Sequence, residues 1–202
     1  MKKIIVFTLA LIIGIASVSC KKEAKKVEGP QFSVEPKTVT IKWTGYKTTA
    51  KIPVTGEFKI VEVSNIKEAP TAVEALNGTK FSIPVSSIFS GDPDRDGKLK
   101  QLFFGVMNAT LSITGTVNLE EDGAGNINLS MNGVSKEIPI KYTVEDQMIK
   151  LNGTLDIVDD FSAQAAMESI NTACLELHKG PDGISKTWTE VAISASAYLK
   201  KE

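Results

Sequence analysis

The chain has 202 residues, 42% of them hydrophobic, with 23 basic against 24 acidic side chains and a single histidine. That length fits one domain with enough apolar residues for a sizeable core. The near-neutral charge excludes the basic surface that nucleic-acid binding requires, and one histidine rules out a histidine-based metal set.

Residues 1–20 have the layout of a secretory signal peptide. Lys2 and Lys3 form a basic start, "IIVFTLALIIGIA" is an apolar run too short to span a bilayer comfortably, and small residues follow. "SVSC" (17–20) resembles a bacterial lipobox, whose cysteine becomes the acylated N-terminus. Val18 and Ser19 suit that pattern, whereas Ser17 stands where a leucine-like residue is usual. The expectation is a lipoprotein held in a membrane of the bacterial cell envelope by acyl chains at Cys20; an ordinary signal peptide ending near a cysteine is the alternative.

Residues 21–30, "KKEAKKVEGP", read as a flexible tether with no periodic apolar positions, which leaves 31–202 as the folded domain. The lysines suit anionic headgroups and a solvated linker equally. Without the lysines of the first thirty residues the remainder is net acidic. With Cys20 lipidated, Cys174 has no partner in the chain, so the core alone must stabilise the domain. Cys174 lies in an apolar, helix-like stretch and reads as a buried thiol. His178, four residues on, offers only weak evidence for a catalytic pair.

From residue 38 onward apolar residues alternate with polar ones, the mark of strands with one buried face. Val39, Ile41 and Trp43 are in phase, as are Ile52, Val54, Phe58 and Ile60, and then Phe81, Ile83 and Val85. Leu111, Ile113, Val117 and Leu119 follow, then Ile127, Leu129 and Met131, after which Asn132-Gly133 supplies a hairpin turn. Ile138, Ile140, Tyr142 and Val144 come next, then Ile149, Leu151, Leu155 and Ile157, and Val191 to Leu199 close the series. About eight evenly spaced strands suit an antiparallel barrel or sandwich. Helical patterns interrupt over 95–104 and 162–177.

Gly45, Gly56, Gly115 and Gly153 fall in phase with the apolar faces of their strands. Two readings compete. The glycines permit the coiling that barrel closure needs, or they hollow an eight-stranded barrel for one small ligand. Asn152-Gly153 also reads as a hairpin turn.

Four segments in order, "IPVTGEF" (52–58), "RDGKLKQLFF" (95–104), "INLSMNGVSKEIPI" (127–140) and "IKLNGTLDIVDDF" (149–161), resemble the YceI-like family of secreted proteins. The resemblance implies a mainly β fold, an extended lipocalin-like antiparallel barrel with one or two short helices. It also implies a long polyisoprenoid chain in an apolar interior, a periplasmic location and no enzymatic activity. Lys98 departs from the family motif, which has histidine there, and the 162–186 segment is longer and more helical.

The pocket-lining candidates on this reading are Val39, Ile41, Trp43, Gly56, Phe58, Ile60, Phe81, Ile83, Leu111, Ile113, Gly115, Val117, Ile127, Leu129, Ile140, Tyr142, Leu151 and Leu155. No cofactor, catalytic residue or metal is expected; the partners are an apolar lipid and, through the anchor, a membrane. The rival is a solidly packed structural or partner-binding envelope lipoprotein with no lipid ligand, its interaction face the helical 162–177 segment.

"GDPDRDGKL" (91–99) looks at first like the opening of a calcium loop. A loop starting at Asp92 needs a bidentate glutamate at its twelfth position, which is Phe103 here. The expectation is instead that Asp92, Asp94 or Asp96 caps the helix over 95–104.

Overall fold

The computed structural model describes residues 29–202. The signal peptide, Cys20 and all but the last two residues of the tether lie outside the described residues.

Every alternating stretch becomes a strand. They are β2 (Thr40–Lys47), β3 (Ile52–Phe58), β5 (Lys80–Pro84), β7 (Ser112–Leu119), β8 (Ala124–Met131), β9 (Val134–Glu145), β10 (Met148–Asp156) and β11 (Glu190–Lys201). Three shorter strands, β1 (Phe32–Val34), β4 (Glu62–Ser64) and β6 (Ile88–Phe89), complete one antiparallel sheet. Two or three residues are too few to display a period. Asn132 and Gly133, both at positive φ (53° and 71°), make the two-residue turn between β8 and β9, as expected. Asn152-Gly153 is not a turn: Gly153 sits inside β10, opposite Ile140 on one side and Ile193 on the other.

The sheet runs β4-β5-β7-β8-β9-β10-β11-β2-β3-β6, with β1 beside β11. Its two ends belong to the same pair of chain segments. β3 leads into β4, β5 leads into β6, and the two segments run antiparallel: Phe58 opposes Ile88, and Val63 opposes Phe81. Between these pairings residues 59–61 face 83–87, so one side bulges through a single 3-10 turn at Val85–Ser87. The Lys59 N–H still reaches the Ser87 carbonyl at 2.9 Å. The sheet thus curls round on itself through a bulged seam, where extra residues bend the strand and increase its twist. This is the mainly β, lipocalin-like barrel architecture that the resemblance implied.

The two ends of the barrel differ. At one, which we call the floor, β1 and helix α1 (Ala72–Leu76) cover the opening, and Ile149 and Leu199 are fully buried. Thr71 caps α1 by accepting from the Glu74 N–H at 3.1 Å. At the other end helices α2 (Pro93–Lys98) and α3 (Gln164–Ala173) close over the sheet, joined in packing by a wide π-helical turn at Leu99–Phe103. Phe103, Phe104, Met167, Ile170 and Cys174 are among the buried side chains of this cover. The helix expected over 162–177 is therefore shorter, because the stretch after Ala173 continues as turns.

The aspartate triplet has three separate jobs. Asp92 Oδ1 accepts from the backbone N–H groups of Asp94 and Arg95, each at 3.1 Å, and caps α2. Those bonds, Arg95 first, hold its carboxyl below the usual range. Asp94 pairs with Lys98 one turn on. Asp96 is buried and accepts from the Ser90 N–H at 2.8 Å and the Ser90 hydroxyl at 2.6 Å, which ties the helix start to the end of β6.

Candidate functional site: an apolar cavity with a charged mouth

The interior holds a cavity of about 360 Å³, within the range of roughly 300–1,000 Å³ that small-molecule sites occupy. Alternation explains its walls, since the inward positions of the strands bring mostly apolar side chains to the lumen. Val39, just before β2, lines it together with Ile41 and Trp43 of β2, Phe58 of β3, and Phe81 and Ile83 of β5. Ile113 and Val117 come from β7, Ile127 and Leu129 from β8, Ile140 from β9, and Leu151 and Leu155 from β10. These thirteen candidates are brought together around one space.

Five candidates fall elsewhere. Leu111 precedes the first residue of β7 and is 87% exposed. Ile60 lies at the bend between β3 and β4 and is 49% exposed, because the seam interrupts the alternation there. Tyr142 is buried, but it lies beyond the cavity near the floor, where its hydroxyl donates to the Glu120 carbonyl. Gly56 and Gly115 do not hollow the barrel. A Cβ on Gly56 would run into the Trp43 ring and come within 2.8 Å of the Phe89 carbonyl oxygen. One on Gly115 would meet the Phe81 ring at 2.5 Å and the Asn128 carbonyl oxygen at 2.9 Å. Trp43 and Phe81 are the direct cross-strand partners of these glycines, so each ring lies over the gap that its neighbour leaves. Gly45 is different. It lines the cavity, and a Cβ there meets nothing within 4 Å.

Further wall residues had no signal in strand periodicity. Val34, Val63, Leu76 and Thr79 form the deep end by the floor. The buried Trp43 Nε1 and Thr79 Oγ1 belong to wall residues and have no hydrogen-bond partner among the described residues. Leu99, Phe103, Met167 and Ile170 supply the wall under the helices. The mouth, at the helical end, is lined by Tyr46, Lys47, Asp92, Asp94, Arg95, Lys98, Leu177, His178, Thr187 and Trp188. Leu177 is 58% exposed, an apolar side chain on the rim.

Cys174 and His178 share this region but do not form a thiol–imidazole pair. The His178 ring bonds Thr187 Oγ1 through Nδ1 at 2.6 Å, and burial pushes the Cys174 thiol pKa up, away from a reactive thiolate. Burial, with the charges of Lys47 and Arg95, holds the His178 pKa below its ordinary value. In the unfolded chain the ring titrates near about 6.5, so the unfolded state binds the proton first as pH falls. This contribution is neutral well above about 6.5 and destabilises the fold progressively below it. Thermal melts from pH 8 to pH 5 should show a decline that is shallower in His178→Gln; an identical decline in both would refute the assignment.

The sequence matches the family model of the YceI-like domain over residues 32–196. The chain belongs to the YceI-like family. No curated protein matches it. Among solved structures the YceI-like barrel is similar to a polyisoprenoid-binding domain from Saccharophagus degradans implicated in plant cell wall breakdown, at 14% identity and a TM-score of 0.57. That match covers 85% of this chain and 98% of the other. It is also similar to BcnA from Burkholderia cenocepacia, at 17% identity and a TM-score of 0.55, over 83% of this chain and 99% of the other. At these identities the likeness is one of fold.

Proposed function

We propose that this YceI-like protein binds a long apolar lipid of the isoprenoid class inside its barrel, and that it sequesters or carries that lipid in the periplasm. The observation that carries the reading is the cavity of about 360 Å³, walled by aliphatic and aromatic side chains from nearly every strand. Burying an alkyl or prenyl chain there yields about 0.8 kcal/mol per CH₂, so affinity grows with chain length and needs few polar contacts. The polyisoprenoid-binding domain that shares the fold supports the same ligand class. A solidly packed barrel, the rival expectation, would leave no such space. We read the protein as a binding module, not an enzyme.

Organic extraction of the protein purified from its own envelope, followed by mass spectrometry, tests the proposal. A stoichiometric prenyl lipid is the expected result, and repeatedly empty extracts would overturn it. The lipoprotein part of the proposal rests on the "SVSC" motif. Metabolic labelling with palmitate should mark the wild type and spare Cys20→Ala; equal labelling of both would sink the anchor.

A further inference from the structure

Three cations line the mouth of the cavity: Lys47 at the end of β2, and Arg95 and Lys98 on α2. Two of them are already matched. Arg95 pairs with Asp92 at 3.4 Å and Lys98 with Asp94. Lys47 has no carboxylate partner among the described residues, and its Nζ reaches only the Leu177 carbonyl oxygen, at 3.5 Å. All three act on one place. The buried Cys174 lies within electrostatic reach of Lys47, Arg95 and Lys98 as well as Asp94, and His178 within reach of Lys47 and Arg95. An apolar tunnel therefore ends at an opening with one positive charge more than its own carboxylates can balance. A neutral headgroup would leave that charge to water alone, whereas an anion delivered on the end of the buried chain would meet it directly.

We infer that the mouth binds a phosphate-class headgroup of the lipid whose chain fills the cavity, with Lys47 as its principal contact. The inference rests on the lipid-binding reading and adds the chemical class of the head. A phosphate ester presents several strong acceptor oxygens, which suit a lysine as a point-charge partner and leave room for Arg95 to turn from its long contact with Asp92. The same chemistry would attract free phosphate, so the experiment must separate the two sources.

Trp43 and Trp188, the two tryptophans of the chain, both line the cavity, and their fluorescence reports occupancy. Delipidated full-length protein would be titrated with geranylgeranyl monophosphate, with geranylgeraniol and with inorganic phosphate. The monophosphate should bind about tenfold or more tighter than the alcohol. Lys47→Met, which keeps the stem, should cut monophosphate affinity about 5–10-fold while leaving alcohol affinity within about twofold, and Lys47→Arg should restore most of the loss. Raising the salt concentration should narrow the gap between ester and alcohol. Equal binding of ester and alcohol, or an equal loss of both in Lys47→Met, would overturn the headgroup site while leaving lipid binding intact. Inorganic phosphate binding as tightly as the ester would show a free-anion site and overturn the lipid assignment of the mouth. If neither prenyl probe binds, the lipid-binding reading falls and the headgroup site falls with it.

Discussion

Gly45→Phe should fold as the wild type does and lose lipid binding by more than about tenfold. Gly45 lies on the cavity wall at the mouth end of β2, its φ is outside the left-handed region, and a Cβ there has open space around it. A phenylalanine side chain adds on the order of 150–250 Å² of apolar surface, and the emptiest direction available to it is the lumen. Filling the lumen costs the fold little, because the Cβ meets no neighbour and the ring gains burial in the cavity. The same ring occupies the path that a lipid chain must thread. A thermal melt of delipidated protein beside the fluorescence titration reads both effects. Wild-type affinity in a well-folded Gly45→Phe protein would show that ligand does not enter through this cavity.

Gly115→Leu should do the opposite. Here the Cβ alone would overlap the Phe81 ring and press on the Asn128 carbonyl oxygen of the neighbouring strand. A ring at the end of a side chain can swing aside, but a ladder carbonyl cannot move without disturbing β8. Overpacking of this kind costs about 1–3 kcal/mol, which for a domain of this size lowers Tm by about 2–4 °C per kcal/mol. The loss should be the same with and without lipid. An unchanged melting temperature in the delipidated variant would mean that Phe81 does not rest on Gly115, and that the glycine holds open space after all.

The contrast between these two glycines shows where sequence reading stops. Gly45, Gly56 and Gly115 have identical phase on their strands, and phase correctly says that all three point inward. What fills the gap depends on the residue across the ladder, which register decides. Gly56 lies opposite Trp43 and Gly115 opposite Phe81, whereas Gly45 lies opposite Val54, too small to cover it. Register is a long-range property, so a single strand does not display it. The eight long strands and the helix cap at Asp92 were legible because their signals are local: a period of two, an Asn-Gly turn, an aspartate before a helix-starting proline. Ile60 and Leu111 misled for the complementary reason. Both continue a local period past the point where tertiary structure ends it, Ile60 at the seam and Leu111 before the first ladder pair of β7. Of the mouth, Lys98 and the 162–186 segment stood out in the sequence, as departures from the family pattern. Lys47, the α2 cations and His178 come from three distant stretches, and no spacing rule connects them.

The path of the chain at its N-terminal side gives the molecule an orientation. β1 is paired to the last residues of β11, Phe32 opposite Lys201, and Gln31 exchanges backbone hydrogen bonds with Glu202. These contacts lie at the floor, whereas Lys47 meets Thr187 at the opposite end, beside the mouth. The described chain therefore enters the barrel at its base. If Cys20 carries the acyl chains proposed above, the attachment side of the barrel is its foot, and the opening for a lipid lies at the end opposite it.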